Sequence, residues 1–249
     1  MAIYTIAARS AGGTIADALL RLGHRKVAYL SPYQGLWWSE QRWHGLRAGF
    51  LKAGLEGAAI PFGLRFGRKY NRVLQAGGFD RRLAGRGSAV FAGILRERLG
   101  KSASAEGPAA RMRDEVFPGL YATLEFDLLD RWFEEEIQAA MLSAFRQALA
   151  DREITAWVGA NDATALAAAR FLRSQGTRVP EDISLAGFDN TSASFAEGLT
   201  SYNFGIPDFP RQLLRFILHP GQDTLPKVRT EEVAGVLLTR GSTGPARNR

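Results

Sequence analysis

The stretch WVGANDATALAAARFLRSQGTRVPEDISLAGFDN, residues 157–190, decides the fold. A short apolar run ends at Asn161-Asp162, about thirteen residues of helical periodicity follow, and a turn at Pro180–Asp182 feeds a second apolar run that ends at Asp189-Asn190. Buried runs of this length, separated by a helix, are the pattern of a parallel sheet with helical crossovers. The same alternation occurs near the N-terminus. A strand at Ile3–Ala7 precedes a helix at Gly13–Leu22, and HRKVAYLS forms the next strand. SPYQGLWW reads as a loop, and an amphipathic helix follows with Ser39 as its N-cap and Gly54 as its stop. Farther on, LYATLEF (120–126) reads as a strand, Asp130–Ala150 and Pro207–Leu218 as helices, and Val228–Leu238 has strand character. The fold class is therefore α/β, with helices on both faces of a parallel sheet.

Composition narrows the function. The 249 residues are 46% hydrophobic and 23% charged, ordinary for a globular protein. No apolar run reaches the ~18–20 residues of a membrane helix, and the N-terminus lacks the features of a secretory signal. A cytoplasmic protein without a membrane partner is expected. Without cysteine there is no thiol nucleophile and no thiolate metal site. The net charge of +7 is concentrated: Pro61–Arg113 carries 12 Lys/Arg against 3 Asp/Glu, which reads as a solvated insertion, with a nucleic-acid surface the less favoured alternative.

In an open parallel sheet, ligands bind beyond the carboxyl ends of the strands. Asn161, Asp162, Asp189 and Asn190 stand there. An N-cap role accounts for one polar residue at each tip but not for two. Tyr33, Trp37 and Trp38 follow another strand end, Arg42 stands early in the next helix, and Trp132 follows Phe126. These supply the polar groups and ring faces that a hydroxylated ligand needs. Core packing competes for Trp37 and is preferred for Trp43. Catalytic patterns are not found. The three histidines have no metal spacing, no GxSxG elbow or GxGxxG occurs, and Gly100-Lys101-Ser102 lacks the first glycine of a P-loop because residue 95 is Leu95. No cofactor, no metal and no enzymatic activity are expected.

Taken together, LGHRKVAYLS (22–31), SEQRWHGLRAGF (39–50), ITAWVGANDATALAAARFLRSQGTRVPEDISLAGFDN (154–190), LTSYNF (199–204) and TRGST (239–243) resemble the effector-binding domain of LacI/GalR-family transcriptional regulators. The resemblance covers most of the chain outside 57–119. It implies a type I periplasmic-binding-protein-like fold, mainly the C-terminal lobe plus a remnant of the N-terminal lobe. By that mapping 1–23 and 192–224 form the remnant, 24–191 and 225–243 form the effector-binding lobe, 57–119 is a basic insertion, and 244–249 is a tail. It implies an N-terminally truncated chain, lacking the helix-turn-helix and about four strands of the first lobe. It also implies that Arg42, Asn161 and Asp189 contact the effector, with Asp162, Phe188, Tyr33, Trp38 and Trp132 beside them. The implied partners are a small-molecule effector, foremost a sugar, a second copy of the chain, and operator DNA through the missing N-terminal domain. A solute receptor of a sugar transporter is the alternative, and an α/β enzyme is the third reading. LTSYNF departs from the family in carrying Asn203 and Phe204 where Gln is common, which puts contacts from that crossover in doubt.

Overall fold

The computed structural model describes residues 2–65, 137–205, 229–233 and 235–247. The chain divides into two compact units, Met1–Arg65 with Gln138–Arg249, and Phe66–Ile137. The described residues belong almost wholly to the first.

Its centre is a six-stranded sheet. In chain order the elements are β1 (Ala2–Ile6), α1 (Ala8–Arg21), β2 (Val27–Gln34), α2 (Trp37–Lys52), β3 (Ala59–Arg65), a helical segment α3 (137–150), β4 (Ala156–Gly159), α4 (Asp162–Ser174), β5 (Ser184–Phe188), α5 (Ser192–Ala196), β6 (Thr200–Asn203), β7 (Arg229–Val233) and β8 (Val236–Leu238). The strand order is β3-β2-β4-β5-β6-β8. All neighbours are parallel except β6 and β8, which are antiparallel. β1 and β7 pair in parallel as a separate two-stranded sheet.

Every residue of β4 and β5 is buried, as helices covering both sheet faces require. The period-two alternation sorts the side chains into two cores. Val27, Tyr29, Ala156, Val158, Ala186 and Phe188 face Ile15, Leu19, Leu46 and Phe50 of α1 and α2. Trp157 stacks instead with Phe145 of α3 and Phe171 of α4, at centroid distances of 6.1 and 6.3 Å. α1 and α2 meet backbone to backbone. A Cβ added at Gly45 would lie 1.9 Å from the Arg9 carbonyl oxygen, and one at Gly12 would lie 2.1 Å from that of Arg42. α1 ends where Gly23 takes φ +87°, and His24 N then bonds back to Leu19 O.

Several elements differ from the sequence reading. α1 begins at Ala8, five residues before the expected Gly13, because AARSAGG packs on α2 and its weak helix formers are held by tertiary contact. β2 runs on through Ser31–Gln34, which read as loop, with a register shift around Pro32. α2 then starts at Trp37, its N-cap is Leu36, and Ser39 is not a cap. Ser39 Oγ is instead 2.8 Å from Ser31 Oγ and 3.1 Å from the Tyr29 hydroxyl, tying α2 to β2. The expected basic insertion from 57 opens with β3, a strand of the main sheet. The strand character expected over 228–238 resolves into two strands, β7 and β8, in different sheets. The residues assigned to a remnant lobe, 1–23, are split as well: β1 joins β7, whereas α1 packs in the core of the six-stranded sheet. The expected strand at 120–126, the helix at 207–218 and the start of the 130–150 helix lie outside the described residues.

Candidate functional site

Parallel pairing brings the carboxyl ends of β2, β4 and β5 to one sheet edge. Arg42, on the face of α2 that covers the sheet, is 4% exposed. Its Nη1 donates to the Ala160 carbonyl just past β4, at 2.6 Å, and its Nη2 donates to Asp189 Oδ1 just past β5, at 2.8 Å. One side chain thus bridges two strand tips. Three rings enclose the guanidinium, with centroids at 4.8 Å (Trp38), 4.9 Å (Phe188) and 4.7 Å (Phe204). The contacts are cation–π in kind, and in a desolvated setting each is worth on the order of 1–2 kcal/mol. Arg42 Nε is buried without a hydrogen-bond partner among the described residues. Tyr33 packs on Trp38 at 5.1 Å.

Asp189 shares only Oδ1 with Arg42, and its side chain is 34% exposed. Asn161 is the N-cap of α4, its Oδ1 accepting from Thr164 N at 3.0 Å and from Thr164 Oγ1 at 2.6 Å. That fixes the amide plane, and Nδ2 has no partner among the described residues. The cluster therefore offers an open carboxylate oxygen, an amide donor pair and flat ring surface. A polyhydroxylated molecule can donate to the first, accept from the second and lay C–H groups on the third.

The structure brings Arg42, Asp189, Trp38, Tyr33 and Phe188 into one connected cluster and puts Asn161 on the adjacent strand tip. Asp162 needs correction. It is fully buried. Its Oδ1 accepts from Ser201 Oγ at 2.6 Å, and its Oδ2 accepts from Thr191 N at 2.8 Å and Thr191 Oγ1 at 3.2 Å. Burial pushes its carboxyl above the ordinary range, against the pull of these donors. Fully buried and with both oxygens engaged internally, Asp162 ties α4 to β6 and to the segment after β5 and is not presented to a ligand. Trp37, with core packing as one option, is 61% exposed. Trp43 is half-buried against the core, as preferred. Trp132 lies outside the described residues.

Three contributors escaped the sequence reading. The Ala160 carbonyl is backbone and carries no residue signal. Phe204, regarded there as a departure, closes the cage; the alternation Tyr202–Phe204 in LTSYNF could have placed it on the covered face. Arg240 donates from Nη2 to Asn190 Oδ1 at 2.6 Å, and its place in TRGST was the available hint. At the opposite sheet edge, a groove of about 760 Å³ is lined by residues including Lys26, Glu153 and Arg247. Lys26 is neutralised there by Asp151 and Glu153, at 2.9 and 2.7 Å, and the groove has none of the strand-tip groups. Among the described residues no cluster of three or more His, Asp or Glu could hold a metal, and no helix is long and apolar enough to cross a membrane.

The fold is shared with known proteins. Solved structures of similar fold include a LacI-family transcriptional regulator from Enterococcus faecium with bound ribose, at 16% identity and a TM-score of 0.55, covering 98% of this chain and 66% of that one. The transcriptional regulator CelR in complex with cellobiose matches at 21% identity and a TM-score of 0.53, over 96% of this chain and 53% of that one. A LacI-family transcriptional regulator protein from Rhizobium etli matches at 17% identity and a TM-score of 0.59, over 97% of this chain and 64% of that one. The chain thus spans less than two-thirds of these proteins' lengths, and at such identities the likeness shows the fold. No curated protein matches the sequence significantly. The model of the periplasmic binding protein-like domain matches residues 81–243, well over half of the chain. The chain belongs to the periplasmic binding protein-like domain family.

Proposed function

We propose that this chain is the effector-sensing domain of a LacI-type transcriptional regulator and that Arg42, Asn161 and Asp189 bind a small polar ligand, a sugar first of all, with Trp38, Tyr33 and Phe188 forming the apolar wall. The carrying observation is that Arg42 joins the tips of β4 and β5 while leaving an unshared Asp189 oxygen and the Asn161 amide open. Two proteins of the same fold, bound to ribose and to cellobiose, support the ligand class. In this reading the ligand binds one arrangement of the regulator better than another and so shifts the population that engages operator DNA. DNA is contacted by a helix-turn-helix outside this chain, the regulator acts as a homodimer in the cytoplasm, and the domain performs no chemistry of its own. The six-stranded sheet with α1 and α2 supplies this side of the cleft.

The test is thermal unfolding of the chain against a panel of pentoses, hexoses and disaccharides, followed by calorimetric titration of any hit. A sugar at a hundredfold excess over its Kd stabilises by about 2.7 kcal/mol, or roughly 5–10 °C for a chain of this size. Asp189→Asn and Asn161→Ala are expected to abolish that shift. A hit that survives both substitutions would place the ligand elsewhere. A solute receptor of a transporter is the second reading of the same site; co-purification of sugar-bound protein with operator-type DNA from the full-length product would exclude it.

A further inference from the structure

Two successive non-glycine residues at the β5 tip have positive φ, Asp189 at 100° and Asn190 at 50°. Asn visits the left-handed region readily, but Asp189 lies beyond its usual limits, and such backbone persists only where surrounding contacts impose it. Four contacts do so. Asp189 N donates to Tyr202 O at 2.9 Å, Asn190 N donates to Ser201 Oγ at 3.0 Å, Arg42 takes Asp189 Oδ1, and Arg240 takes Asn190 Oδ1. Arg240 reaches back fifty residues for this bond, and it is itself well held. Its Nη1 donates to Leu199 O at 2.6 Å, its backbone N donates to Thr200 Oγ1 at 2.9 Å, and its guanidinium lies 5.6 Å from the Phe195 ring. The terminal segment carrying it is fastened by Ser242, whose Oγ accepts from Thr200 N and donates to Leu185 O.

We propose that Arg240 is a positioning residue for the strand-tip site: by gripping Asn190 from the terminal segment it holds the Asp189–Asn190 turn left-handed and so keeps the Asp189 carboxylate on Arg42. The two arginines act as opposed clamps, one on each residue of the turn. Without Arg240, Asn190 loses its only charged hydrogen-bond partner among the described residues, the turn relaxes toward negative φ, and Asp189 swings off Arg42. The importance of this for a ligand rests on the function proposed above; the clamp itself does not.

The experiment compares Arg240→Met, which keeps an apolar stem over Phe195, with wild type, in the native background and in Asn190→Gly, where glycine adopts positive φ unaided. The readouts are crystal structures, the HN–Hα couplings of residues 189 and 190, and urea unfolding. In Arg240→Met, Asn190 is expected to move to negative φ, the Asp189–Arg42 bond to open, and the folding equilibrium constant to fall roughly tenfold or more, as for a lost hydrogen bond to a charged group. In the Asn190→Gly background the same replacement should leave Asp189 on Arg42 and lower the constant clearly less than in the native background, because the Asn190 bond is already gone and glycine needs no clamp, and only the Arg240 Nη1 bond to Leu199 O remains to be lost. If Arg240→Met fails to fold, Arg240→Lys, shorter and without the fork, is read by the same criteria. An Arg240 variant that retains both positive φ values and an intact Asp189–Arg42 pair overturns the proposal. That result would leave ligand binding by Asp189 standing, whereas failure of every sugar to bind wild type would remove the ligand reading and leave the clamp untouched.

Discussion

Replacing Asp162 with alanine separates two roles that the sequence leaves entangled. The side chain is fully buried, and three donors converge on it: Ser201 Oγ, Thr191 N and Thr191 Oγ1. Alanine strands all three. The hydroxyls can rotate toward other acceptors, but the Thr191 amide is fixed by the chain, and an orphaned buried donor costs about 1–3 kcal/mol. Loss of hydrogen bonds to a charged acceptor adds about 1.5–3 kcal/mol each before compensation. Against this, burial already disfavours the ionised carboxylate, so its removal returns part of the cost. The expected net loss is about 3–4 kcal/mol, at the severe end for a point substitution. Asp162→Asn keeps one acceptor oxygen and should lose about half as much. Urea unfolding at neutral pH followed by circular dichroism measures both. A ligand-contacting aspartate would give the opposite outcome, near-native stability with affinity lost. An Asp162→Ala protein within about 0.5 kcal/mol of wild type would refute the structural assignment.

Other consequences can be checked with the same methods. Arg42→Ala leaves the Ala160 carbonyl and Asp189 without their donor and empties the cage between three rings, so a loss of about 3–5 kcal/mol is expected in denaturant unfolding; Arg42→Lys should recover little, lacking the planar fork that spans both acceptors. His24 is buried between Thr155 Oγ1 at 2.9 Å and the Gly244 carbonyl at 3.1 Å, and burial lowers its pKa below the ordinary 6.5. The unfolded chain therefore binds the proton first, so the His24 contribution is intact above about pH 6.5 and declines as pH falls from there toward the lowered folded value. Melting temperatures between pH 5 and 8 should show that decline, and His24→Gln should remove it. Gly45→Ala gains about 1 kcal/mol of helix propensity but places a Cβ 1.9 Å from the Arg9 carbonyl oxygen. Forcing α1 off α2 should outweigh the gain and lower stability by about 1–3 kcal/mol, read as a fall in melting temperature.

The central sheet was legible because AWVG and SLAGF are short apolar runs joined by an unmistakable helix, and a strand buried on both faces needs nothing else. The tips were legible as positions, since polar residues had to follow those runs. Their orientation was not. Asn161 is still in extended backbone and keeps its amide open, whereas Asp162, one residue on, is already helical and turned inward; residue type does not encode that rotation. The start of α2 was missed because Trp37 and Trp38 read as loop and Ser39 as a cap, whereas its hydroxyl meets Ser31 across a contact that sequence order does not show. The partners of Arg42 and Asn190 were hidden for a related reason. One is a backbone carbonyl 118 residues away and the other an arginine fifty residues on, and single-sequence reasoning has no access to pairings at that range.

The packing of Trp157 in one three-ring cluster with Phe145 and Phe171 has an optical consequence. Its indole is wholly buried and its Nε1 has no hydrogen-bond partner among the described residues, so it should emit at the short-wavelength end of tryptophan fluorescence, while exposed Trp37 emits at the red end. Trp38 lies against the Arg42 guanidinium at the sheet edge and is open to collisional quenchers that cannot reach Trp157. The protein thus carries its own internal reference lamp on one face of the sheet and a reporter at the strand tips on the other. With Trp37 replaced by phenylalanine, iodide quenching normalised to the blue component turns occupancy of the strand tips into a ratio measured without a label.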